Sequence, residues 1–95
     1  MGGWVYIMTN RHNGTLFIGV TNDLIRRIWE HRDGVGSSFV RRYALGRLVY
    51  FERHDDIRAA IQRETSLKRW PQAWKVRLLA AHNPDWHDLY PSLLG

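Results

Sequence analysis

Apolar positions along the chain follow two different spacings. Trp4-Val5-Tyr6-Ile7-Met8-Thr9 is dense in aromatic and β-branched residues and predicts a strand. Thr15-Leu16-Phe17-Ile18-Gly19-Val20-Thr21 has the same character. Asn13-Gly14 between them signals a hairpin turn, because both residue types tolerate positive φ. A two-residue loop there makes paired positions sum to 27, and a four-residue loop makes them sum to 25. Either register sets even positions of the first strand against odd positions of the second. Tyr6 and Met8 then share a face with Phe17, Gly19 and Thr21, while Val5, Ile7, Leu16, Ile18 and Val20 line the other. A three-residue loop would break this parity. Arg47-Leu48-Val49-Tyr50-Phe51-Glu52 predicts a third strand.

Helical spacing takes over after Thr21-Asn22-Asp23, which offers an N-cap for a helix reaching His31 or Arg32. On a wheel, Leu24, Ile28, Ile25 and Trp29 fill an apolar arc of roughly 140°. Arg27 and His31 lie together beside its Leu24 edge, and Arg26 points away as a solvated charge. Asp33-Gly34-Val35-Gly36-Ser37-Ser38 is a loop, and Phe39-Val40-Arg41-Arg42-Tyr43 has room for one helical turn. Asp55 or Asp56 can cap a second helix from about Ile57 to Arg69, stopped before Pro71. Gln72 to Ala81 predicts a last helix ended by Asn83-Pro84. The tail from Asp85 to Gly95 carries Trp86, Leu89, Tyr90, Leu93 and Leu94, which are expected to dock on the domain.

The second helix contains a conflict. Ile57, Ala60, Ile61 and Leu67 define its inward face, and Glu64 falls near the centre of that face. An inward carboxylate is costly unless paired, hydrogen-bonded or metal-bound. A Glu64–Lys68 pair at i,i+4 answers the conflict, and so does a ligand at the rim of a site. Both remain open.

Ninety-five residues make one domain, and 14 Lys and Arg against 9 Asp and Glu give a formal charge of +5. That balance favours a polyanionic partner such as nucleic acid. The absence of Cys excludes disulfides, thiolate metal sites and Cys nucleophiles, and fits a reducing compartment. No run approaches the roughly 18 apolar residues of a membrane helix, and no signal peptide is visible. The expectation is a soluble, cytoplasmic protein. His82 and His87 are read as surface residues rather than a metal pair.

Tyr6, Arg27, His31 and Glu64 form a convergent set suited to phosphodiester hydrolysis. A carboxylate can hold a hard divalent ion, and arginine neutralises charge growing on phosphorus oxygens. Tyr or His can take a proton from water when its pKa is depressed. One carboxylate implies one metal ion. Each residue also has a plainer reading: Tyr6 as a sheet aromatic, Arg27 as a surface cation, His31 as a charge favoured at a helix C-terminus.

Val5-Tyr6, Phe17-Ile18-Gly19, Thr21-Asn22-Asp23-Leu24 with Arg27 and His31, then Glu64 before Leu67-Lys68-Arg69-Trp70, closely resemble the GIY-YIG nuclease domain. More narrowly, the chain looks like the small stand-alone bacterial members of that family. The resemblance covers residues 4 to 81, and the Asn83-Pro84-Asp85-Trp86 tail, within 82 to 95, also looks like that subgroup. It implies an α+β fold, with a three-stranded antiparallel sheet flanked by three to four helices. It further implies hydrolysis of DNA with one Mg²⁺ or Mn²⁺. By motif position Tyr6 is similar to the tyrosine that activates water, Arg27 to the arginine on the scissile phosphate, and Glu64 to the metal-binding glutamate. His31 matches a position that assists around the nucleophile. Gly19 matches the second-motif glycine, where a side chain would crowd the site.

Two departures stand out. Trp4 replaces the first-motif glycine, a tolerant position. Phe17 replaces the second-motif tyrosine, and loss of that hydroxyl predicts a rate lower by on the order of 10²-fold. A non-catalytic nucleic-acid-binding module on the same scaffold is the competing expectation, with Arg41, Arg42, Lys68, Arg69, Lys75 and Arg77 as its basic set. A monomer is expected, with a dimer through Leu89, Tyr90, Leu93 and Leu94 as the alternative.

Overall fold

The computed structural model describes residues 1–33 and 45–95. The expected helical turn at Phe39–Tyr43, with Arg41 and Arg42, lies outside the described residues.

Strands β1 (Gly3–Thr9), β2 (Leu16–Thr21) and β3 (Arg47–His54) form one antiparallel sheet in the order β2-β1-β3. β1 is apolar at both parities because it is central and covered on both faces. Val5, Ile7, Ile18, Val49 and Tyr50 pack with Ala60, Leu67, Leu79 and Trp86 on one side. Tyr6, Met8 and Leu48 pack with Leu24, Ile28 and Leu45 on the other. A register shift at Ile7/Met8 brings the consecutive residues Val49 and Tyr50 into the same cluster.

The hairpin adopts the register summing to 25, with Tyr6 opposite Gly19 and Met8 opposite Phe17. The Gly14 N–H donates to the Arg11 carbonyl at 2.9 Å, and Asn13 supplies the positive φ of 59°. Gly14 is needed for closeness instead: a Cβ there would run into the Asn10 side chain and the Arg11 carbonyl.

Helix α1 (Leu24–Arg32) is capped by Asp23, whose carboxylate accepts the Arg26 N–H at 3.2 Å. Its buried face differs from the expected arc. Leu24, Ile28 and His31 are buried, while Ile25 and Trp29 are 44% and 52% exposed. The helix is turned toward its Leu24 edge, which brings His31 over the sheet to meet Tyr6. Helix α2 (Ile57–Arg69), capped by Asp56, buries Ala60 and Leu67, but Ile61 is exposed. Helix α3 (Gln72–His82) ends at Asn83. A short α4 (Tyr90–Leu94), absent from the sequence expectation as a separate element, closes the chain.

The tail is pinned by side chains rather than by periodic packing alone. Buried Asn83 donates through Nδ2 to the carbonyls of Val49 (3.0 Å) and His87 (2.9 Å), and accepts the His87 N–H at 3.1 Å. Trp86 drops into the core at 2% exposure with a left-handed φ of 55°. The Asp88 carboxylate accepts from the Leu48 N–H (3.1 Å), the Tyr90 N–H (3.1 Å) and Arg32 Nη1 (2.8 Å). Leu89 donates its N–H to the Leu48 carbonyl at 2.7 Å. Leu89, Tyr90 and Leu93 pack against the Tyr6 face, and Leu94 is exposed. Among the described residues no helix is long and apolar enough to cross a membrane.

Asn83→Ala removes three hydrogen bonds and leaves the Val49 carbonyl unpaired, at a cost of about 2–3 kcal/mol. Thermal denaturation followed by circular dichroism should show Tm lower by roughly 10 °C or more.

Candidate active site

The central strand carries Tyr6, 1% exposed, with its hydroxyl 2.8 Å from His31 Nε2 on α1. Their approach depends on Gly19. A Cβ at that position would overlap the Tyr6 ring and hydroxyl. Phe17, on the same face, sets its ring edge-on to His31 with centroids 5.6 Å apart, and lies 6.3 Å from the Tyr6 ring. The hairpin parity thus brings Tyr6, Phe17 and Gly19 together as expected.

Burial raises the Tyr6 pKa above the usual tyrosine value. The Arg27 guanidinium opposes this by hydrogen bonding and charge, while the Glu64 and Glu30 carboxylates add to the rise. His31 moves the other way. Burial, then repulsion from Arg27, lowers its pKa to about 4, with Glu30 partly offsetting. His31 is therefore a neutral imidazole at pH 7, not the helix-terminal cation of the plainer reading. Its Nδ1 is buried with no hydrogen-bond partner among the described residues. In the tautomer that puts the proton on Nδ1, Nε2 accepts from the Tyr6 hydroxyl.

Arg27 joins this buried pair to solvent. Burial works to lower its pKa, but interactions with Tyr6 and Glu30 prevail and hold it above the usual arginine value. Arg27 Nη1 donates to Glu30 Oε1 at 3.2 Å, and its side chain remains 35% exposed. It lines an open polar cleft of about 440 Å³ with Thr21, Asn22, Asp23, Arg26 and Glu30. Arg26 is a surface charge as expected, paired to Glu30 at 3.5 Å. Glu30 was not singled out from the sequence, although its i,i+3 and i,i+4 spacing to two arginines was the available signal.

Glu64 sits on α2 with a side chain only 15% exposed, and Lys68 Nζ pairs with its Oε2 at 3.2 Å. The ion pair that the sequence offered is thus formed, and the carboxylate also acts on the Tyr6 hydroxyl. Among the described residues no cluster of three His, Asp or Glu could hold a metal. A lone carboxylate fits a hard divalent ion that keeps several waters, and does not fit an all-protein cage. Lys68 is half exposed and its flexible stem allows it to yield such a position.

Two further sets of side chains complete the surroundings. The Lys75 ammonium donates to the Lys68 carbonyl at 3.3 Å, and Arg69 is exposed. On the other face, Glu52 accepts from Tyr50 (2.6 Å) and from Arg63 Nε (2.8 Å), with His54 Nε2 at 3.1 Å. Burial tends to raise the Glu52 pKa, but these bonds lower it below the usual carboxylate value. Burial first and Glu52 second push the Tyr50 hydroxyl up to about 12. This network ties α2, and with it Glu64, to β3.

The His31 shift has a pH consequence of definite sign. Above pH 6.5 the imidazole is neutral whether the chain is folded or unfolded. Between pH 6.5 and about 4 the unfolded chain binds a proton that the folded protein excludes, so stability falls as pH falls. The total is about 3 kcal/mol, with no further loss from this group below pH 4. Urea midpoints of wild type and His31→Gln across pH 4–7 should differ in slope over that window.

Comparison with known proteins agrees with this architecture. The GIY-YIG catalytic domain matches residues 2–77. A UPF0213 protein of Natronomonas pharaonis is 38% identical over 77 residues, covering 81% of this chain and 89% of its own length. One from Xanthomonas axonopodis pv. citri is 32% identical over 88 residues, covering 93% and 85%. The solution NMR structure of a UPF0213 protein from Bacillus halodurans superposes with a TM-score of 0.58 at 26% identity, covering 93% of each chain. The chain belongs to the GIY-YIG family of nuclease domains, among its small UPF0213 members.

Proposed function

We propose that this protein is a divalent-metal-dependent endonuclease that hydrolyses DNA phosphodiester bonds with Tyr6, Arg27, His31 and Glu64. The observation that carries the proposal is the buried Tyr6–His31 hydrogen bond, with Arg27 linking it to an open polar cleft. Membership of a nuclease family agrees with it. So does the formal charge of +5, which favours a polyanionic substrate.

Tyr6 is protonated at neutral pH, so it acts as a base only if its own proton has somewhere to go. His31 Nε2, neutral and 2.8 Å away, is that acceptor. The Tyr6 oxygen takes a proton from the attacking water as its own proton passes to His31. Arg27 favours the developing tyrosinate and is placed to neutralise charge on the phosphorus oxygens. Glu64 would hold a Mg²⁺ or Mn²⁺ ion, which when bound supplies Lewis-acid stabilisation of the phosphate and the leaving oxygen. The low basicity of His31 makes this proton relay uphill, and Phe17 contributes no hydroxyl to help. A slow enzyme follows.

Phe17 also favours a second reading, a nucleic-acid-binding module without turnover. One assay separates the two. Single-stranded, duplex and branched DNA are incubated with Mg²⁺, with Mn²⁺ or with chelator. Cleavage should require the metal and fall by on the order of 10³-fold in Glu64→Ala. Activity that persists unchanged in Glu64→Ala would sink the proposed site, and salt-dependent binding without cleavage under either ion would favour the module. Phe17→Tyr should raise the cleavage rate by about 10- to 100-fold, measured as initial rate on the best of these substrates.

A further inference from the structure

The corner where α2 gives way to α3 exposes aromatic surface that the catalytic reading does not use. Trp70 closes α2, and Trp74 opens the first turn of α3 at 50% exposure. Their rings stand edge to face, with centroids 5.9 Å apart at 78°. The Arg63 guanidinium lies 5.1 Å from the Trp70 ring centre. Trp70 forms the wall between two open clefts. One, of about 440 Å³, is lined by Trp70, Trp74, Leu78 and Arg77. The other, of about 420 Å³, carries Arg69, Ser66 and Thr65. Each cleft thus pairs an indole wall with an arginine and contains no acid.

Basic residues flank the same corner. Residues 63–77 hold Arg63, Lys68, Arg69, Lys75 and Arg77 against one acid, Glu64. An exposed indole ringed by cations suits a ligand that is flat, apolar on its faces and anionic along its length. A polynucleotide with unpaired bases meets that description. A duplex does not, because its base faces are stacked internally. Glu64 lies six residues before Trp70, about 9 Å of helix rise. Even at the duplex rise of roughly 3.4 Å per nucleotide, two or three nucleotides span that distance, and an extended unpaired strand needs no more.

We propose that Trp74, with Trp70 and the flanking Arg69 and Arg77, is a base-stacking subsite for unpaired nucleotides near the Glu64 site. The inference rests on the nucleic-acid reading above and adds to it a place where bases are held. The indole faces give affinity for bases of any identity, and the arginines follow the backbone. Strand structure, rather than sequence, is what this corner selects.

The test measures binding by fluorescence anisotropy in the Glu64→Ala background, so that no strand is cut. The probes are a labelled twelve-nucleotide oligo(dT), an abasic strand of the same length and a duplex of the same length. Trp74→Ala should weaken oligo(dT) binding about tenfold and leave duplex and abasic binding within about twofold. Trp74→Phe should stay within about threefold, and the slope of affinity against salt should be unchanged in both. The proposal is overturned if Trp74→Ala leaves oligo(dT) affinity intact, or weakens all three probes alike. If Trp74→Ala lowers the melting temperature, Trp74→Phe and the oligo(dT)-to-abasic ratio on unmutated Trp74 carry the same decision. An equal affinity for those two strands overturns it. Cleavage by protein with Glu64 intact is followed in parallel. Base-dependent binding without cleavage supports the subsite while removing the nuclease reading. Cleavage with binding indifferent to Trp74 overturns the subsite alone.

Discussion

The hydrogen bond between the Tyr6 hydroxyl and His31 ties the central strand to helix α1 at the middle of the candidate site. A phenol and an imidazole, both almost fully buried, are tolerable together because each removes part of the other's desolvation cost. Bringing them together dictates the rotation of α1 about its axis. It also requires a bare backbone at Gly19, opposite Tyr6 on the neighbouring strand. Ile25 and Trp29 are left in solvent as a result, a hydrophobic loss accepted to seat one polar pair.

Much of the candidate site could be read from the chain because strand pairing has a period of two. Once Asn13-Gly14 fixed the hairpin, Tyr6, Phe17 and Gly19 had to share a face whichever even-length loop formed. Glu64 was legible for a different reason, as a carboxylate in the path of an apolar helix face. The rotation of α1 was not legible. A helical wheel weighs Ile25 and Trp29 above His31, and nothing local reveals the phenol waiting on a strand 25 residues away. The same holds for Asn83 and Asp88, whose bonds to β3 span 34 and 40 residues. Side chain-to-backbone bonds over such separations leave no periodic trace.

Electrostatics at the site is a balance of opposed neighbours. Arg27 lowers the pKa of Tyr6 and also that of His31, so the cation that helps the phenol ionise makes the imidazole a poorer proton acceptor. Glu30 moderates Arg27 from the solvent side, and Lys68 does the same for Glu64 from the second helix. Two ion pairs, Arg27–Glu30 and Lys68–Glu64, thus border the buried Tyr6–His31 pair.

The Asn83–Leu89 segment has a consequence beyond holding the chain end. β3 is the outer strand on its side of the sheet, and its outward-facing polar groups would otherwise offer a template to another molecule. The Asn83 amide takes the Val49 carbonyl, Asp88 takes the Leu48 N–H, and the Leu89 N–H takes the Leu48 carbonyl. A fourth strand is imitated by one amide, one carboxylate and one peptide group, without the flat repetitive edge a real strand would present. The Leu48–Val49 part of this border is thereby closed to an added strand.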